Sequence, residues 1–128
     1  MTDAPARATY RKRHRLTHAL EFKAVYDARL KAPKGPIVVF VRPNDLGHPR
    51  LGLGVGKRVG NAVTRNAVKR RLRDAFRVVA AEWPGAQPGL DIVIAARSTK
   101  VDSPETYAEL LRSAIVKLSK VIEKRGEL

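Results

Sequence analysis

The sequence predicts an α+β protein, a two-layer α/β sandwich in which three helices accompany a mixed sheet of about four strands in the order αββαβα. Three observations lead there. Val68 to Val79 and Tyr107 to Ile122 carry apolar residues at helical spacing. Ile37 to Arg42 and Leu90 to Ala96 are β-branched or apolar runs of strand length, bounded by turn residues. A further strand, Arg50 to Gly56, is separated from Leu90 to Ala96 by one long helix, and a connection of that length makes a βαβ unit and hence a mixed sheet.

A chain of 128 residues, 44% hydrophobic, is long enough for one core and too short for two. It divides into a flexible basic N-terminal arm, residues 1–14, a single α/β domain over 15–124 and a short tail over 125–128. The absence of cysteine excludes disulfides, thiolate zinc sites, iron–sulfur clusters and a cysteine nucleophile. No apolar run approaches the roughly 20 residues that span a bilayer. Met1 to Arg15 is polar and basic with no apolar segment behind it, so no secretory signal is visible and a cytoplasmic address is expected.

Taken in order, residues 1–15 lack apolar periodicity and read as an arm that orders on binding. Thr17 is a plausible N-cap for a first helix whose apolar positions are Leu20, Phe22, Val25, Tyr26 and Leu30; Pro33, Gly35 and Pro36 end it. Ile37 to Arg42 then forms a strand, and Pro43, Asn44, Asp45 and Gly47 a turn. Arg50 to Gly56 forms the next strand, antiparallel to the first by a short connection. Its Gly52, Gly54 and Gly56 alternate, so one face has no side chains and must lie against a helix or a ligand backbone. Gly54 to Gly60 does not match the spacing of phosphate-binding glycine loops, which argues against a mononucleotide site.

The segment that follows is the most informative. Asn61 or Thr64 caps a helix of roughly 20 residues that Trp83, Pro84 and Gly85 close. On a helical wheel Val68, Leu72, Ala75, Phe76 and Val79 occupy one arc, while Asn66, Lys69, Arg70, Arg73 and Arg77 occupy another that does not overlap it. After the strand Leu90 to Ala96, Ser103 caps a last helix with Pro104 at its first position and Tyr107, Leu110, Leu111, Ala114, Ile115, Leu118, Val121 and Ile122 as its stripe.

Charge sharpens the functional reading. Twenty-six lysines and arginines against twelve acidic residues give a net charge of +14. Residues 1–35 contribute +6, 36–56 +1, 57–77 +7, and 78–128 balance seven of each sign. Half of the excess lies in a segment with only Asp74 as a counter-charge. A solvated helix face usually alternates sign to gain i to i+4 pairs; this one repels itself until phosphates sit opposite and counterions are released. A polyanion, nucleic acid first, is the implied partner. Arginine outnumbers lysine six to two there, which suits bidentate phosphate contact and stacking on bases.

Chemistry of the protein's own is not suggested. His14 and His18 are four apart, but Arg15 stands where a zinc-protease helix carries its glutamate, and both read as solvated arm residues. No carboxylate pair recurs that would hold two metal ions for phosphodiester hydrolysis.

The run from Lys57 to Arg77, KRVGNAVTRNAVKRRLRDAFR, closely resembles the signature of the bacterial ribonuclease P protein subunit. Arg15, Leu16 and Glu21 through Tyr26 are similar to that family's first helix, and Arg50 through Gly56 to the strand leading into the motif. The resemblance implies a left-handed βαβ crossover, against the general rule. It implies an accessory subunit of an endoribonuclease that removes the 5′ leader of precursor tRNA, with catalysis carried by the RNA subunit and not by protein side chains. Partners would be that RNA and precursor tRNA, with no membrane and no obligate protein partner. Magnesium would be required by the RNA-containing holoenzyme, with no cofactor bound by the protein alone. Lys57, Arg58, Asn61, Arg65, Asn66, Lys69, Arg70, Arg73 and Arg77 would bind the RNA subunit. Phe22, Tyr26 and Phe40 would bind the single-stranded leader; the residues agree, since Phe22 and Tyr26 share a helix face and single strands are held by aromatic platforms in positive grooves. The family's third motif cation is replaced here by Ala67. The alternative is a ribosomal-type or general structured-RNA-binding protein.

Overall fold

Gly89–Ala96 is the strand that organises the sheet, because its residues from Gly89 to Ile94 are buried on both faces and it therefore needs a neighbour at each edge. The computed structural model describes residues 14–83 and 89–126. In chain order these form α1 (Ala19–Asp27), β1 (Lys31–Lys34), β2 (Ile37–Asn44), β3 (Arg50–Gly54), a single 3-10 turn (Lys57–Val59), α2 (Ala62–Ala81), β4 (Gly89–Ala96) and α3 (Pro104–Arg125). The sheet order is β1-β2-β4-β3, with β1/β2 and β2/β4 antiparallel and β3/β4 parallel. Val39 stands opposite Ile94, and Leu51 opposite Ile92. The mixed sheet and the three helices are those expected.

Strand alternation sorts side chains onto two faces. Ile37, Val39, Val41, Leu51, Leu90, Ile92 and Ile94 join Val68, Leu72, Ala75, Phe76 and Val79 of α2 and Tyr107, Leu111, Ala114, Ile115, Leu118 and Ile122 of α3 in one large core. These are the helical stripes expected from the sequence. Among the described residues α1 and the segment just before it cover the opposite face, where Leu16, Val25 and Val93 form a small cluster flanked by Phe22 and Phe40. The α2/α3 layer and the sheet make the sandwich, and α1 closes part of its back. No helix among the described residues is long and apolar enough to cross a membrane.

Several local expectations need correction. β2 and β3 run antiparallel but are not neighbours: β4, buried on both faces, enters between them. β1 was not expected, because Pro33 reads as a breaker; at the sheet edge its missing N–H costs no ladder bond. The first helix consequently stops at Asp27, and Leu30 packs in the large core instead of continuing its stripe. Leu20 is 78% exposed. The N-cap is His18, one residue after Thr17, and Glu21 reaches back to accept from Thr17 N–H and His18 N–H at 2.9 and 3.1 Å.

Residues 1–13 of the expected arm lie outside the described residues. His14 does not behave as a solvated arm residue: it is buried, with its ring edge-on to His48 at 5.6 Å and to Phe76 at 6.0 Å. It is not on a helix with His18, which is exposed. Arg15 bridges to Leu51, and Leu16 N–H donates to Leu51 O at 2.9 Å, so the chain enters alongside β3. At the other end α3 runs to Arg125 and closes on Gly126, whose φ of 73° is a left-handed cap.

Candidate nucleic-acid interface

α2 begins where backbone and cap chemistry require. Gly60, at φ 147°, turns the chain after the 3-10 turn, and Asn61 caps the helix, its Oδ1 accepting from Thr64 N–H at 2.9 Å. Asn61 is exposed but spends its carbonyl on this cap. Lys57 and Arg58 are exposed on the 3-10 turn before it. Along α2, Asn66 and Arg70 are exposed while Lys69, Arg73 and Arg77 are half-buried beside them. Arg77 pairs with Asp74 one turn back. Lys57, Arg58, Arg65, Lys69, Arg70 and Arg73 form no ion pair with any other described residue.

Two residues of the motif lie differently from the ridge. Arg65 falls between Leu72 and Phe76 on the wheel, toward the apolar stripe; it is half-buried and its Nε is enclosed without a hydrogen-bond partner among the described residues. Arg71 points to the other side of α2, where Nη1 donates to Asp102 O at 3.3 Å in the loop before α3. Ala67 is half-buried.

Lys69 and Arg73, one turn apart, turn toward α1. With Arg15, Leu16, Phe22, Leu51, Gly52 and Leu53 they line a cleft of about 310 Å³ between α1, β3 and α2. Its floor depends on glycine. A Cβ at Gly52 would stand 2.6 Å from the Phe22 ring, and one at Gly54 3.5 Å from the Tyr26 hydroxyl. The bare face of β3 thus lies against a helix, one of the two readings the sequence left open. Tyr26 and Phe40 meet edge to face with centroids 4.8 Å apart. Tyr26 is 41% exposed, and burial of its hydroxyl end raises its pKa above that of a free tyrosine. The three expected aromatics therefore lie along one face of the sheet, and Phe22 joins them to the cation ridge.

A polar network fixes that face, and sequence reasoning missed it. Asp91 is fully buried; its Oδ1 accepts from Arg50 Nε at 2.8 Å and from Asn44 Nδ2 at 2.7 Å, and its Oδ2 accepts from Arg50 Nη2 at 2.9 Å. Arg42 Nη2 approaches the same Oδ2 at 3.3 Å. Arg50 also donates through Nη1 to Glu21 Oε2 at 2.9 Å, which ties α1 to the sheet. Hydrogen bonding to Asp91 is the largest influence raising the Arg50 pKa, so this guanidinium is firmly charged. Glu21 is held below the usual glutamate range, first by the Thr17 N–H, then by the His18 N–H and Arg50. The only sequence signal was alternation: Arg50 and Asp91 both fall on the face opposite the large core. Among the described residues no three His, Asp or Glu side chains converge to hold a metal ion.

Comparison with known proteins bears on the family and the fold. Residues 10–120 match the model of the family described as Ribonuclease P. A ribonuclease P protein component from Symbiobacterium thermophilum is 35% identical over 119 residues, covering 92% of this chain and 96% of that protein. One from Pseudomonas putida is 40% identical over 102 residues, covering 77% and 73%. Among solved structures, a Staphylococcus aureus RNase P protein mutant with defective mRNA degradation activity superposes with a TM-score of 0.69 at 29% identity, covering 85% of this chain and 90% of that one. The RNase P protein from Thermotoga maritima gives 0.65 at 30% identity, covering 77% and 92%.

Proposed function

The chain belongs to the ribonuclease P protein component family, whose role is in tRNA 5′ processing, and from that premise we propose that it binds the catalytic RNA subunit through α2 and the 5′ leader of precursor tRNA through the cleft beneath α1. The observation that carries this reading is the meeting of Lys69 and Arg73 with Phe22 around Gly52. Unneutralised cations and an aromatic ring in one cleft are what a single strand leaving a structured RNA requires, phosphates on one wall and bases on the other.

In this reading Lys57, Arg58, Asn66, Arg70 and Arg73 hold phosphates of the RNA subunit, with Asn61, Arg65 and Arg77 more constrained by cap, burial and ion pair. Lys69 and Arg73 serve the junction between RNA subunit and leader. Phe22, Tyr26 and Phe40 offer faces to unpaired leader bases. The protein neutralises and positions while the RNA subunit carries the chemistry with its magnesium; no step runs through a metal held by protein side chains.

The experiment is cleavage of a leader-bearing precursor tRNA by a cognate RNA subunit at low magnesium, with and without the chain. Cleavage is expected to rise with it, and the complex to prefer leader-bearing over mature tRNA. Equal affinity for the two would leave a general structured-RNA binder instead. Arg70→Ala with Arg73→Ala is expected to weaken RNA-subunit binding and to lower the slope of log affinity against log salt by about 1.5, at roughly 0.7 to 0.9 per lost phosphate contact, with thermal unfolding unchanged.

A further inference from the structure

We propose that the outer face of α3 is a second RNA-binding surface, one that takes the phosphate backbone of a base-paired RNA. Lys117, Lys120 and Lys124 recur at i, i+3 and i+7 and so form one row, about 10 Å long at 1.5 Å per residue. Lys34 of β1 stands beside them, and with Ser113, Val116 and Val121 the four lysines line a groove of about 490 Å³. None of the four is in an ion pair with another described residue.

The sequence hides this surface because residues 78–128 are electrically neutral. The fold separates the signs. Asp91 is drawn inward onto Arg50 and Arg42, Glu82 is taken by Arg112 at 2.8 Å, and Asp102 lies 3.5 Å from Lys100. Three of the seven carboxylates of the C-terminal half are thus engaged away from the row, and none of its lysines pairs with a carboxylate among the described residues. A basic end on a helix can simply complement the helix dipole, but that effect fades within the last turn. It accounts for Lys124 and Arg125, not for Lys117, Lys120 or a lysine on another element.

Position separates this surface from the α2 ridge. The cleft of α2 opens over β3 at one edge of the sheet, whereas Lys34 belongs to β1 at the other. A molecule seated on the lysine row would be a different segment of RNA from the one on α2. The groove has no aromatic in its lining, in contrast to the α1 cleft, so it offers unpaired bases nothing to stack on. Lysine, a flexible point charge, suits sequence-independent contact with a duplex backbone. A membrane-surface helix would present a broad apolar face of large side chains, and this one has Val116, 57% exposed, and Val121.

The test is binding of a fluorescent, blunt-ended RNA duplex to the full chain carrying Arg70→Ala and Arg73→Ala, so that α2 contributes little. Adding Lys117→Ala, Lys120→Ala and Lys124→Ala is expected to weaken binding at least tenfold and to lower the salt slope by about 2.5, at roughly 0.7 to 0.9 per lost contact. The corresponding triple Lys→Arg variant, which keeps the charge, is expected to retain binding. Unchanged affinity and slope in the alanine variant would overturn the proposal. So would loss of binding to anionic phospholipid vesicles with duplex binding intact, which would assign the row to a membrane surface.

Discussion

The two faces of the sheet are covered by the same kinds of element and put to different uses. One face lies under α2 and α3, where apolar side chains from four strands and two helices interlock and few polar groups enter. The other lies under nine residues of α1 and, among the described residues, rests on small contacts: a cluster of Leu16, Val25 and Val93, a ring against bare glycine, the Tyr26–Phe40 edge-to-face pair and the Glu21–Arg50–Asp91 ion network. The ionic part contributes less to stability than its contacts suggest, since desolvating Asp91 offsets most of the attraction. What it supplies is position, because it holds α1 at a fixed distance from β3 with the cleft between them. A domain of this size can spare one sheet face for the proposed RNA contacts only because the other face carries the fold.

Phe76→Ala breaks that comparison most directly. Phe76 is fully buried between α2 and the sheet, and its loss is expected to cost about 3–5 kcal/mol in urea unfolding. Phe22→Ala, on the half-exposed side, is expected to cost less than about 2 kcal/mol and to appear instead as weakened leader affinity with RNA-subunit affinity kept. Equal stability losses at the two positions would show that both faces are core.

Gly52→Ala sharpens the same contrast with a smaller change. The new methyl would meet the far edge of the Phe22 ring, which can swing aside, so the cost in stability is expected to be about 1–2 kcal/mol. The displaced ring would enter the cleft that Lys69 and Arg73 line. Discrimination between leader-bearing and mature tRNA is therefore expected to fall several-fold, with RNA-subunit affinity retained. Intact discrimination would mean that the Phe22 ring is not a leader contact.

The legible parts of the fold were those where one element decides its own environment. The stripe of α2 and its Asn61 cap are local, as are Ser103 and Pro104 at the start of α3, and all of them stand where periodicity and capping chemistry put them. The bare face of β3 was legible as a close approach, though not what approaches. Pairing was not legible, because nothing in β2 or β3 says that a strand some 35 residues further on will part them; β4, buried on both faces, takes the central place. The Arg50–Asp91 pair is a contact between residues 41 apart, visible only once β3 and β4 are parallel neighbours. His14 carries no periodic signal, and its burial follows from Leu16 docking on β3. In the interface the cations of α2 could be counted and placed on a wheel, but that Lys69 and Arg73 share a cleft with Phe22 is a tertiary fact.

Acid should loosen the α1 face before the other, and this is the smallest expected effect. Glu21 in the folded chain lies below its ordinary pKa because the carboxylate accepts from Thr17 and His18 N–H and pairs with Arg50. A carboxylate with a depressed folded pKa contributes stability that is complete above its unfolded value, about 4.3, and is lost as pH falls through the lower folded value. Glu21→Gln removes the charge at every pH. At neutral pH the variant is expected to be less stable by under about 1 kcal/mol, a modest figure because the pair is partly solvated. Once the pH falls below the depressed folded value, wild type and variant are expected to converge, both having lost the charged cap. Amide exchange in Ala19–Asp27 would locate the effect: protection should fall there as acid is added while Val68 to Val79 stays protected. A uniform loss across both helices would instead mean that α1 and the large core unfold as one unit, and that the two sheet faces are not separable in energy.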